Sequence, residues 1–261
     1  KGRTPHLADT LPRNLADNKS ARFVLVDYND RDSLADYLVK NHKWDMESGK
    51  LVVYQFKDEP EAPFRMAHAK NMAHRLAVEE GADILVNLDS DNWTGPNFDK
   101  YVAENFQHKS GIFLWSRMVK SGPGRLPRGI SGRIAVTRDD FLLTGGYDEK
   151  YAMYSPDDKD FNARLRRLGL EGKEIDPFFL RAILHNDKMR YREYPRAVAV
   201  TEDFVIQHEF TVVNDGRIGC GTVYRNFDPT PLPIFPVPTR IFGIGMHKTA
   251  TGSLHNAFGQ L

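Results

Sequence analysis

The sequence predicts an α/β protein built on a mostly parallel central sheet with helices on both faces. Three observations carry this. Short runs rich in Val, Ile, Leu and Phe alternate with stretches whose apolar residues recur every three or four positions. The first elements read β-α-β-α-β, an order that favours parallel pairing through helical crossovers. The chain has 261 residues, of which 41% are hydrophobic, enough for one large domain with a real core.

"RFVLVDY" (22–28) reads as a buried strand, and a polar helix-like stretch follows over 31–42. "KLVVYQF" (50–56) is the second strand. Over 65–80, Met66, Ala69, Met72, Ala73, Leu76 and Ala77 fall on one helical face, and Gly81 ends that helix. "DILVNLD" (83–89) is the third strand. "GIFLWS" (111–116) and "GRIAVT" (132–137) are further strands, separated by the basic loop "RMVKSGPGRLPRG". A short helix over 139–143 stops at Gly145-Gly146. In "SPDDKDFNARLRRLG" (155–169), Ser155 is a natural N-cap, Pro156 suits the first turn and two acids follow. Phe161, Leu165 and Leu168 form its apolar face, and Gly169 stops it. Strands are also expected within 177–184 and 197–207. "DPTPLPIFPVPT" (228–239) holds five prolines and reads as a stiff, extended linker after a first domain spanning 1–228.

The bulk numbers narrow the function. A net charge of +1 gives no global field for nucleic acid or an anionic membrane surface. No apolar stretch approaches the roughly 20 residues of a membrane span, and "KGRTPHLADTLPRN" has no apolar signal core. Cys220 is the only cysteine, so no disulfide forms within the chain. A reducing compartment fits, and a cytoplasmic location is expected.

Chemistry is expected where strands end, because α/β sheets bind ligands at the carboxyl ends of their strands. Asp27 closes the first strand; Asp89 and Asp91 close the third. Two carboxylates one residue apart can both reach one divalent ion, which removes their repulsion. Hard oxygen ligands suit Mg²⁺ or Mn²⁺, ions that share their shell with a substrate's phosphates. A polar turn closing a strand explains the same tetrapeptide, Asp89-Ser90-Asp91-Asn92, without any ion. Asp157 and Asp158 are likewise what any helix N-terminus prefers. That dipole weakens a carboxylate as a base unless burial compensates.

The stretch "FVLVDYNDRDSL … HAKNMAHRLAVEEGADILVNLDSDNW … GRIAVTRDDFLLTGGYDEKYAMYSPDDKDFNARLRRLG" resembles GT-A glycosyltransferases. It is most similar to family 2 enzymes and to the carboxyl-terminal half of β-1,4-galactosyltransferases, over roughly residues 5–226. The resemblance implies a GT-A, Rossmann-like sheet with an antiparallel acceptor-side portion. It also implies a first strand ahead of "GRTPHLADTLPRNL", where part of the nucleobase pocket would lie. Asp27 then stands where the family hydrogen-bonds the donor's nucleobase, and His68 and Asn71 where it faces the donor nucleotide. Asp89 and Asp91 match the D-x-D motif, whose second acid binds metal while the first approaches the ribose or the ion. "TGGYDE" (144–149) matches the loop that shapes the sugar and acceptor sites. Asp158 matches the catalytic base of inverting members, with Asp157 beside it. "AILHNDKMR" (182–190) matches the segment supplying a metal-ligating histidine, His185, with His208 as its rival. Lys120, Arg125 and Arg128 in the basic loop are placed to cover phosphates; a solvated basic loop is the ordinary alternative.

The implied partners are a nucleotide-sugar donor, with UDP-sugar favoured, a glycan or other hydroxyl acceptor, and Mn²⁺ or Mg²⁺. Two rivals stand beside this expectation. A nucleotidyltransferase of similar topology would open with a glycine-rich basic loop, and none is seen. A non-catalytic carbohydrate-binding domain attached to a sulfotransferase would need neither paired acids nor a base. The second rival arises from the tail, where "RIFGIGMHKTATGSL" (240–254) resembles the phosphosulfate-binding loop that opens sulfotransferase domains. Lys248, Thr249, Thr251 and Ser253 would contribute to its anion cradle. Residues 240–261 are thus expected to be an incomplete start of such a unit.

Overall fold

In a computed structural model the described residues are 3–28, 33–57, 64–117, 129–151, 156–183 and 211–237. Several expectations therefore lie outside the described residues: the N-cap Ser155, the basic loop with Lys120, Arg125 and Arg128, the strand within 197–207, His185, His208, and the 240–254 loop.

The chain opens with helix α1 (Thr4–Asp17), which the sequence reading missed. Leu7, Leu11 and Leu15 recur at four-residue spacing and bury one face, and Pro5 falls in the first turn where its missing N–H costs nothing. Strand β1 (Phe23–Tyr28), helices α2 (Leu34–Asn41) and α3 (Lys43–Glu47), strand β2 (Leu51–Phe56), helix α4 (Met66–Glu79) and strand β3 (Ile84–Val86) follow. After the two-residue strand β4 (Asn92–Trp93) come α5 (Phe98–His108), β5 (Ile112–Trp115), β6 (Ile134–Thr137), α6 (Arg138–Thr144) and α7 (Asp157–Arg167). Strands β7 (Glu171–Glu174), β8 (Arg181–Ala182), β9 (Gly221–Arg225) and β10 (Pro231–Ile234) complete the described fold.

The fold is α/β, with helices flanking mixed parallel and antiparallel sheets. β1 and β2 pair in parallel, as the β-α-β order requires. β9 then adds antiparallel to β2 and β10 antiparallel to β9, giving the order β1-β2-β9-β10. β3 belongs to a second sheet, β3-β6-β5-β7, in which only β5 and β7 are parallel. The antiparallel share is thus larger than expected, because chain from the carboxyl-terminal third returns to β2. Helix α4 packs on both β1 and β3 and so joins the two sheets.

Among the described residues, four apolar clusters fill the interior. One joins Phe113, Ile134 and Val136 to Phe141, Tyr147, Phe161 and Leu165, so α6, α7 and the loop between them close over β5 and β6. Another joins α1 and α2 to β2 through Leu7, Leu11, Leu34, Leu38, Leu51 and Val53. The expected apolar face of α4 is partly polar: Lys70, Asn71 and His74 are buried along with Met72 and Leu76. Helix α7 starts at Asp157 with Pro156 as its cap residue, and three acids fill its first turn.

The proline-rich segment departs from the linker expectation. Pro231–Ile234 is an edge strand paired with β9, in register Leu232 with Val223 and Ile234 with Gly221. Prolines are tolerated here because Pro231 and Pro233 share one parity, so their missing N–H groups fall on the strand's open side. Ile234 packs against Val52, Phe56 and Val223, and Val237 donates its N–H to Gly216. Truncation after Asn226 should therefore lower the thermal midpoint by roughly 5–10 °C, as about 3 kcal/mol of burial and pairing is lost. An unchanged midpoint in a melting curve would restore the linker reading.

Candidate functional site

The turn after β3 is braced from behind. Asn87 extends the β3–β6 ladder through its N–H to Ile134 O, and its side chain donates to Gly132 O at 2.9 Å and to Asp89 Oδ1 at 3.2 Å. The Asn92 N–H returns to Asp89 O, and Asn92 Nδ2 donates to Asp91 Oδ1 at 2.6 Å. From α1, Thr10 donates to Ser90 O and Asn14 to Asn92 O. Arg133 is fully buried beneath the turn and donates to Phe179 O, Asn92 Oδ1 and Trp93 O. Burial lowers its pKa to about 10, opposed by the charges of Asp89 and Asp91, so it stays protonated at neutral pH.

The acids of α7 meet the same place from the other side. Lys70, in the first half of α4, donates to Asp157 Oδ2 at 2.7 Å and to Asp158 Oδ1 at 2.6 Å. Its ammonium also lies 4.9 Å from the centre of the Tyr147 ring. Burial alone would lower its pKa, yet the carboxylates of Asp157 and Asp158 win and hold it well above the ordinary value. Asp157 is sealed, with its side chain 1% exposed, and burial pushes its pKa up against the pull of Lys70. Asp158, the next residue, is less enclosed, with its side chain 20% exposed.

Gly132 is where the two sets converge. A Cβ added there would stand 3.0 Å from Asp89 Oδ2, 3.2 Å from Asp158 Oδ2 and 3.4 Å from Asn87 Nδ2. Only glycine leaves that space open, so two acids remote in sequence aim one oxygen each at a common point. Asp89 is pushed up to about 6, first by burial and then by Asp158 and Asp91, with Lys70 and Asn87 opposing.

The "TGGYDE" loop is held by Asn71, whose Nδ2 donates to Tyr147 O and Glu149 Oε1 while its Oδ1 accepts from the Tyr147 N–H. Asn214 strides over the same loop, donating to Gly145 O and Tyr147 O. Gly145 and Gly146 both have positive φ, and a Cβ on them would lie 2.1 Å from Val213 O and 2.4 Å from Asn71 Oδ1. Arg164, buried and paired with Asp160, donates to Thr144 O and Gly146 O. Every polar atom of Asn71 is thereby spent on the loop.

Asp27 and His68 lie in a neighbouring patch. Asp27 accepts from Gln55 Nε2 at the β1–β2 end. His68 pairs with the Tyr28 hydroxyl through Nδ1 and with Cys220 O through Nε2. The structure therefore brings Asp89, Asp157 and Asp158 into one cluster, keeps Asp91 on the adjoining turn, and sets Asp27 and His68 beside β1. Sequence reasoning missed Lys70, Gly132, Arg133 and the loop brace Asn214. A signal for Lys70 existed: Ala67, Lys70, Asn71 and His74 form one stripe at three- and four-residue spacing.

The donor set can be tested against a divalent ion. Among the described residues no group of three or more His, Cys, Asp or Glu forms a metal site by itself. Asp89, Asp91, Asp157 and Asp158 face two buried cations, Lys70 and Arg133, and four negative charges less two positive leave two negative. Carboxylate and amide oxygens are the donor class that suits Mg²⁺ or Mn²⁺.

No protein-family model and no curated protein matches the chain. Among solved structures it superposes on the catalytic domain of Drosophila β1,4-galactosyltransferase 7 in complex with xylobiose, with a TM-score of 0.41 and 17% identity over 65% of this chain and 74% of that one. A variant of that enzyme in complex with manganese, UDP-Gal and xylobiose gives a TM-score of 0.43 and 15% identity over 74% of this chain and 83% of that one. At these values the likeness is loose, and the functional reading rests on the residues themselves.

Below Lys70, His74 is buried, donates from Nδ1–H to Lys70 O, and stacks on Phe141 with centroids 5.0 Å apart. Burial lowers its pKa from 6.5 to about 4. The unfolded chain therefore takes up a proton near pH 6.5 while the folded chain resists until about 4, so stability present above 6.5 is lost as pH falls through that window. Relative to His74→Gln, the wild-type chain should lose about 2 kcal/mol more between pH 7 and pH 4.5 in urea melts. Parallel pH profiles would show that His74 titrates normally in the fold.

Proposed function

We propose that this chain is a metal-dependent glycosyltransferase of GT-A type, moving a sugar from a nucleotide-sugar donor, with UDP-sugar favoured, to an acceptor hydroxyl with inversion. One observation carries the reading: Asp89 of the D-x-D turn and Asp158 of α7 aim their Oδ2 atoms at the same space over Gly132. An acid that serves the donor's leaving group and an acid that serves the acceptor are needed within one sugar's width of each other.

Asp91 and Asp89 would hold the ion, with His185 added by the family resemblance. When bound, it supplies positive charge against the departing diphosphate. Arg133 keeps the turn in shape, so that both carboxylates are presented without reorganisation. Asp158 Oδ2 would accept the acceptor hydroxyl's proton as that oxygen attacks the anomeric carbon. Asp157 keeps its negative charge locked on Lys70 and takes no part in proton transfer. The "TGGYDE" loop, held by Asn71 and Asn214, would form the sugar-side wall. In this reading Asp27 serves the nucleobase, and Asn71 and His68 act on the nucleotide side through the loop and β1.

Two variants test the reading. Asp91→Ala should abolish Mn²⁺-dependent UDP binding in calorimetry while the melting curve is retained, since Asp91 lies on the open turn; unchanged UDP affinity in Mn²⁺ would sink the metal assignment. Asp158→Asn preserves shape but removes the proton acceptor, so kcat should fall by about 10²–10⁴-fold with donor KM nearly constant. Full activity in Asp158→Asn with loss in Asp157→Asn would reverse their roles.

A further inference from the structure

Lys70 is a buried cation with three N–H donors and a defined use for each face. Two protons go to Asp157 Oδ2 and Asp158 Oδ1, and the ammonium also lies near the Tyr147 ring face. The Lys70 side chain is 8% exposed, and its ammonium sits between a sealed acid and a partly open one. It binds one oxygen of Asp158 and leaves the other, Oδ2, over Gly132 beside Asp89. A carboxylate at the start of a helix has several staggered rotamers, and an isolated one would swing to solvent or to the helix amides. The bond from Lys70 to Asp158 Oδ1 removes that choice, and the bond to Asp157 Oδ2 holds the ammonium in place to make it. The Tyr147 hydroxyl is itself buried and has no hydrogen-bond partner among the described residues, so it offers Lys70 no competing acceptor bond.

We infer that Lys70 is a positioning residue: it fixes Asp158 with Oδ2 toward the acceptor side, and by anchoring Asp157 it decides which of the two adjacent acids acts as base. The inference rests on the transfer reading above and adds to it a residue that touches neither donor nor acceptor. A direct phosphate contact is the competing role for a lysine in such a place. The geometry opposes it, because both carboxylates already hold this ammonium.

Lys70→Met alone strands two buried carboxylates and risks the fold, so the decisive protein is Lys70→Met/Asp157→Asn, which keeps the buried charge balanced. Lys70→Arg serves as the conservative partner. Hydrolysis of UDP-glucose and UDP-galactose is followed in Mn²⁺ with water as acceptor. The double variant should melt cooperatively, keep KM for the UDP-hexose within about twofold and lose about 10–100-fold in kcat, while Lys70→Arg stays within about tenfold of wild type. Wild-type kcat in the double variant overturns the inference. A raised KM at constant kcat also overturns it, and assigns Lys70 to the phosphates. A crystal structure of the double variant reads the same point without turnover: Asp158 Oδ2 should have left Gly132, and an unmoved carboxylate contradicts the inference. If wild type hydrolyses neither UDP-hexose, the transfer reading falls, and the rotamer of Asp158 still decides the role of Lys70.

Discussion

The site depends on one buried ammonium. Without Lys70, Asp157 would be a sealed charge with no partner, and removing one member of a buried pair typically costs about 3–5 kcal/mol. With it, α4 and α7 are tied at their amino-terminal turns, and the acids of α7 face the D-x-D turn instead of capping their own helix. The arrangement is stabilised by being complete: two carboxylates and an aromatic face surround the ammonium, so it is satisfied without water. That same completeness makes Lys70 a poor ligand for substrate and a good fixture for the group beside it.

The remaining parts keep this fixture in register with the strand ends. Arg133 and α1 brace the D-x-D turn from the core side through carbonyl and amide contacts. Asn71, one residue after Lys70, clamps the Gly145–Tyr147 backbone. Consecutive residues on α4 thus serve the acids and the loop separately. Two glycines allow the clamp, since any side chain at 145 or 146 would strike the strap at Val213 or Asn71 itself. Stability and site geometry are coupled here: the groups that orient the acids are also those that close the core over Phe141, Tyr147 and Phe161.

Much of this was legible in the sequence, for physical reasons that differ by element. β2, β5 and β6 are apolar runs buried in the sheets, β1 is an apolar run only half-buried along most of its length, and α4 and α7 carry clear helical periods. The acids were visible because like charges at a strand end and at a helix start are conspicuous. β7, "EGKE", was not legible: its residues are polar, and it is a strand only because β5 offers a parallel partner. β10 was hidden by its prolines, which an edge position tolerates. α1 carries its Leu7-Leu11-Leu15 period openly, but Pro5 and Pro12 interrupt the pattern in the sequence. Lys70 and Gly132 could not be found by type, since their importance arises from what the fold sets against them. A lysine between two acids and a glycine beneath two carboxylates are tertiary facts.

Inversion is what the role proposed for Asp158 requires, so the anomeric outcome tests the account most directly. The wild-type chain would be incubated with a UDP-α-hexose and Mn²⁺, and the hexose released to water followed by proton NMR before it mutarotates. The account predicts the β-anomer as the first product, formed by water attacking from the face that Asp158 Oδ2 serves. The α-anomer as first product would contradict it, because retention leaves a single deprotonating carboxylate across the sugar with no role.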